Sequence, residues 1–282
     1  MRQADGTASE RCSSADYNTC PAVKQHHEER PTASRCPFLH ESLVQYCSAA
    51  PVTKFIPYSE SVITRCGNDN HRYCEAYLAL ANPGDAGGAG DDGDGGDVQV
   101  PERLMFSPNH LWLDVSDDGN CHVGIDGVFA RVLGRIDRVT FLTPHGVHRP
   151  TAVLTVCGVD LQLMFPNTVS ITGTNVNLRL NPQKPVTGPY TAGWLFEGRE
   201  TEQSRNAGSP VARGLIGGTR ARTWIRNEME RLTTFVHRLA AAGENVMADG
   251  GEVMPGVMDH MKREDILHLF NEFFSPFAGW RS

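Results

Sequence analysis

The chain has no excess of positive charge: 26 Lys and Arg against 33 Asp and Glu leave a formal net charge of -7 over 282 residues. Without a basic footprint there is nothing to neutralise a phosphate backbone, so nucleic acid is not the expected partner. No apolar run approaches the ~20 residues of a membrane-spanning helix, and residues 1–30 lack the apolar centre of a secretory leader. A cytoplasmic protein without membrane insertion is the expectation. A nucleophile elbow, a phosphate-binding glycine loop, a dinucleotide fingerprint and a His-Glu-x-x-His motif are also missing, so no self-contained enzyme is expected. Lysine is scarce: Lys24, Lys54, Lys184 and Lys262 are the whole supply.

What is present is an ordinary globular composition, 40% hydrophobic and 21% charged, with an uneven cysteine distribution. Six of the 8 cysteines fall at Cys12, Cys20, Cys36, Cys47, Cys66 and Cys74. In a reducing compartment such cysteines are free, catalytic or metal-bound more often than paired. Residues 1–30, with Cys12 and Cys20, are polar and expected to be disordered. Residues 31–82 are expected to form a cysteine-rich helical module. Cys36, Cys47, Cys66 and Cys74 are its candidate metal ligands, with His40 and His71 as substitutes. Four thiolates suit a zinc ion or an iron-sulfur cluster. Buried thiols without a metal are the third alternative, and the spacing does not choose among the three.

Residues 83–98, rich in Gly and Asp, cannot bury enough apolar surface to offset chain entropy and read as a flexible linker. They lack the ligand spacing and closing Glu of a calcium loop. From 99 to 200 short strands and turns dominate. Asp118 and Gly119 mark a hairpin. Residues 126–135 predict one helix, capped by Asp126, with Val128, Val132 and Leu133 on one face. Residues 154–173, LTVCGVDLQLMFPNTVSITG, read as two strands around a bend. His110, His122, His145 and His148 are scattered and expected at surface or strand positions rather than as ligands.

After a break at 204–210, the extension 211–282 predicts two amphipathic helices. One carries Ile225, Met229, Leu232, Val236 and Leu239 and stops at Gly243; the other carries Ile266, Phe270 and Phe273 and stops at Pro276. Their apolar faces are expected to pack on the β domain or on each other.

The β segment resembles the H protein of the glycine cleavage system. The matching residues are His110 and Trp112, spaced as His-x-Trp, then Val123, Gly124 and Ile125, Leu133 and Gly134, Pro166, Asn181 and Pro182. Pro189, Tyr190, Gly193, Trp194, Leu195 and Phe196 complete the set. The resemblance implies a mainly β protein of the lipoyl/biotinyl-carrier kind, an antiparallel sandwich or flattened barrel, here with the N-terminal cysteine-rich module and C-terminal α-helices attached. In that family a lipoyl group is carried on a hairpin lysine. Aligned from Pro166 and Gly193, the attachment position is Gly158, and Thr155 stands in place of a glutamate.

No slip of register supplies the lysine, because the chain has only four. The neighbouring Cys157 is expected to be a strand residue pointing inward with Val153 and Thr155. A non-lipoylated binding or scaffold module, with no covalent cofactor, follows from the resemblance. Its expected partners are proteins, redox enzymes among them. Iron-sulfur electron transfer or redox sensing through the cysteine module is the alternative. Carriage in glycine cleavage through an unusual attachment is a third reading.

Overall fold

The computed structural model describes residues 44–47, 49, 54–57, 66, 69–81, 98, 100–200, 206, 208–242 and 253–275. The expected disordered start, almost all of the linker, Cys36, His40, Gly243 and Pro276 lie outside them. Two compact units divide the chain, Met1–Val62 and Ile63–Ser282.

In the first unit, β1 (Val44–Cys47) and β2 (Lys54–Pro57) pair antiparallel, with Val44 opposite Pro57 and Cys47 opposite Lys54. A helical module was expected here, and these are strands instead. Val44, Tyr46, Phe55 and Ile56 are β-branched or aromatic residues, which fit a pleated surface.

The second unit starts with a 3-10 turn, Asp69–Tyr73, and the short helix α1, Glu75–Ala81. The division therefore falls inside the stretch 31–82 that was expected to be one module. Tyr73 gives the reason: it is 2% exposed, its hydroxyl donates to Asp114, and its ring stacks 4.0 Å from that of His122. Burial, then the Asp114 carboxylate, pushes the Tyr73 hydroxyl well above the usual range.

Antiparallel sheet follows: β3 (Met105–Phe106), β4 (Leu111–Val115), β5 (Asn120–Ile125), β6 (Ile136–Phe141), β7 (Gly146–His148), β8 (Thr151–Val156), β9 (Val159–Met164), β10 (Val169–Thr174), β11 (Phe196–Arg199) and β12 (Ile216–Gly217). Seven of them form one sheet in the order β12-β3-β4-β5-β11-β10-β7, and three form another, β6-β8-β9. The expected turn at Asp118 and Gly119 joins β4 to β5, with Gly119 at φ +83°.

Four helices, short or amphipathic, matter for the site. Helix α2 (Gly127–Val132) starts where the Asp126 side chain accepts from the Phe129 amide at 2.9 Å, as the sequence predicts, and is shorter than 126–135 because Leu133 turns extended. Helix α3 is Lys184–Thr187. The C-terminal helices are α4 (Thr219–Ala242) and α5 (Arg263–Phe273). Ile225, Leu232, Val236, Ile266, Leu269, Phe270 and Phe273 are buried in the same core as Trp112, Phe106 and Phe129. Each such side chain contributes ~1.5–3 kcal/mol. The helices pack on the β domain and on each other, with Phe129 stacked 4.1 Å from Phe274.

Several of the residues that carry the resemblance form one physical cluster. Trp112 lies opposite Gly124 across the β4–β5 pair, and a Cβ on Gly124 would come 2.6 Å from the indole. The indole N–H donates to the Pro189 carbonyl at 3.0 Å, and the Tyr190 hydroxyl accepts from the Gly127 amide at 2.7 Å. Gly193 packs on α3: a Cβ there would sit 2.5 Å from the Lys184 carbonyl oxygen and 2.6 Å from the Pro185 Cα. Both neighbours are backbone and cannot rotate away. Gly193→Ala is expected to cost about 1–3 kcal/mol, read as a lower denaturant midpoint with an unchanged m-value.

Candidate functional site

The bend between β8 and β9 is a two-residue turn. Val156 pairs with Val159, and Cys157 and Gly158 both have positive φ, +50° and +71°. Two left-handed residues in a row match the right-handed twist of the flanking strands. Gly158, the expected attachment position, is therefore at the exposed tip, with nothing within 4 Å of a Cβ built on it.

Cys157 differs from the sequence reading. It is a turn residue and exposed, not an inward strand residue, and it is Ala152, Leu154 and Val156 that face the core, while Val153 and Thr155 are half-buried on the other face. The turn consumes Cys157 itself, so the alternation runs one residue out of phase with the expectation.

One side of the tip is covered by a segment 101 to 102 residues further on. The Cys157 thiol lies 3.4 Å from the Asp259 carboxylate, to which it donates, and 3.8 Å from the Met258 carbonyl. What burial the thiol has, then Asp259, pushes its pKa up. The Gly158 amide donates to Asp137 at 3.2 Å, and Thr155 to Asp160 at 2.6 Å. The lysines that could have stood in are elsewhere: Lys184 opens α3 and Lys262 precedes α5.

His110 is the residue the sequence reading placed least well. It is fully buried, in the β3–β4 turn, with φ +61°. Its Nδ1 lies 2.7 Å from the Asp126 carboxylate. Its Nε2 lies 3.6 Å from Glu228 on α4, an ion pair rather than a hydrogen bond. Burial alone would lower its pKa, but Asp126, followed by Glu228, outweighs burial and pushes it up to about 9. Burial works against ionising Glu228, yet His110 and Arg231 hold its carboxyl below the usual range. His122 is buried too, on β5, while His145 and His148 are exposed. The motif His-x-Trp was the signal available for His110, but its charge partner Glu228 is 118 residues away in sequence and has no local signature.

Of the four candidate metal ligands, Cys36 lies outside the described residues. Cys47, Cys66 and Cys74 are free thiols, and no cluster of three or more His, Cys, Asp or Glu able to hold a metal occurs among the described residues. Among them, too, no helix is long and apolar enough to cross a membrane.

The geometry defines a mainly antiparallel β protein with an exposed two-residue hairpin and a helical extension folded back beside it. No protein-family model matches the sequence. The chain is 30% identical over 115 residues to the glycine cleavage system H protein of Mycolicibacterium vanbaalenii, covering 39% of this chain and 86% of that protein. It is 33% identical over 110 residues to that of Streptomyces coelicolor, covering 36% and 85% respectively. A crystal structure of the H protein from Mycobacterium marinum matches over 45% of this chain and 99% of that one, at 21% identity and TM-score 0.35. The chain belongs to the glycine cleavage system H protein family through this segment.

Proposed function

We propose that the protein is a non-lipoylated, non-catalytic relative of the H protein that acts as a binding or scaffold module for protein partners. The observation that carries the reading is the β8–β9 turn, where Cys157 and Gly158 occupy the tip. A lipoyl amide needs a primary amine on such a turn, and none of residues 151–164 is a lysine. The residues present do not fit the group.

Intact mass of the protein after coexpression with lipoylation enzymes tests this directly. The unmodified mass is expected, and a lipoyl adduct on the native sequence overturns the reading. Gly158→Lys is the control: it places an amine in open space at φ +71°, at a strain of about 1–2 kcal/mol, and is expected to gain the adduct. A metal at Cys36, Cys47, Cys66 and Cys74 is a separate proposal. Metal analysis and visible absorption of anaerobically purified protein test it, and metal-free, colourless protein that keeps its fold would rule it out.

A further inference from the structure

The corner between α2 and β6 meets the hairpin tip at one side chain, that of Asp259. Its two carboxylate oxygens lie 3.0 and 3.1 Å from the Arg135 amide nitrogen, and one of them accepts from the Cys157 thiol at 3.4 Å. Gly134 makes the room: a Cβ there would sit 2.0 Å from the Asp259 carboxyl carbon. The same segment is held along α2, where the Gly256 amide donates to the Arg131 carbonyl at 2.8 Å and the Arg131 Nε donates to the Val253 carbonyl at 3.2 Å. Gly256 and Asp259 are the ends of one tight turn, in which the Asp259 amide donates to the Gly256 carbonyl at 2.9 Å, and Gly256 has φ +73°. Val257 and Met258 between them are fully buried.

We propose that Gly134, the Arg135 amide and the Cys157 thiol form a carboxylate-binding seat on the β domain, and that residues 253–261 are its resident ligand, fixing the hairpin end in cis through Asp259. The seat belongs to the segment shared with the H protein. The ligand lies C-terminal to Phe196, the last of the residues that carry the resemblance, in the helical extension. Charge complementarity here is local: an amide N–H and a thiol each offer a proton to the carboxylate, and bonds to an ionised acceptor are about twice as strong as neutral ones. Reading this end as the site of a lost arm rests on the proposed function above; the seat itself does not.

Cys157 is its own reporter, with the exposed thiol of Cys66 as an internal reference. The full chain is alkylated with a maleimide at pH 8, and the two sites are quantified by peptide mass spectrometry. Asp259→Ala and Asp259→Asn are expected to raise the ratio of Cys157 to Cys66 labelling about tenfold, the scale of one lost charged hydrogen bond. Gly134→Ala, which fills the seat, is expected to do the same. An unchanged ratio in folded Asp259→Ala overturns the proposal.

Native-chain hydrogen exchange needs no variant. The Arg135 amide is expected to be protected about tenfold or more, and free exchange at Arg135 also overturns it. Neither readout depends on lipoylation, so failure of the seat and failure of the proposed function are separable.

Discussion

Asp126→Ala is expected to lower the unfolding free energy by about 3–5 kcal/mol, the usual cost of removing one partner from a buried charge pair, with about 1 kcal/mol more for the lost helix cap. The size follows from where Asp126 sits. It is fully buried, it accepts the Phe129 amide at the start of α2, and it lies 2.7 Å from His110 Nδ1. Asp126 supplies the countercharge to His110 from the β domain; the second partner, Glu228, comes from α4. Without Asp126 the imidazolium would be left in an apolar wall built from Trp224, 4.9 Å away, and Phe274, 5.1 Å away.

The same pair sets a pH dependence with a defined sign. The folded-state pKa of about 9 stands above the ordinary 6.5, so the stabilisation is complete below about 6.5. It is lost as pH rises through about 9, and amounts to on the order of 3 kcal/mol. Urea unfolding between pH 6 and 10 is expected to show this decline in the native chain and a flatter profile in Asp126→Ala. A native chain equally stable at pH 6.5 and pH 10 would contradict the assignment. Trp224, stacked on His110, gives a fluorescence readout of the same titration.

Trp112→Ala is the second large effect, expected at about 3–5 kcal/mol. Trp112 is fully buried, and its ring lies across Gly124 with Tyr73 stacked at 6.1 Å and Tyr190 at 6.4 Å. Truncation would open a cavity between rigid strands and leave the Pro189 carbonyl without its indole donor. Trp112→Phe should recover most of the packing and none of the hydrogen bond, and so lose less. Equilibrium unfolding of the two variants separates the cavity from the lost donor.

What could be read from the sequence was local. Asp126 as a cap, Gly119 in its turn, and the apolar stripes of α4 and α5 are each set by residues within one or two turns of chain. The matching residues from His110 to Phe196 also located the β domain, because several of them pack together around Trp112 and Gly193. What escaped was set by pairings that no single residue signals. Cys157 reads as one more alternating residue until Val156 is seen to pair with Val159. His110 reads as a surface or strand histidine until Glu228 and Phe274 close over it. The seat for Asp259 depends on the absence of a side chain at Gly134, and a missing atom leaves no periodic trace. In the first unit, four-residue strands carry too little pattern to be told from short helices.

The distance along the chain between Arg135 and Asp259, 124 residues, bears on how the protein is made. At ribosomal rates of ~5–20 residues per second, the β domain emerges roughly 6–25 s before the segment that finishes it. Throughout that interval the Phe129 side of α2 waits without Phe270 and Phe274. Apolar surface exposed in this way is aggregation-prone until it is covered. The helical extension thus sets how long the aromatic face of α2 stays uncovered in the growing chain.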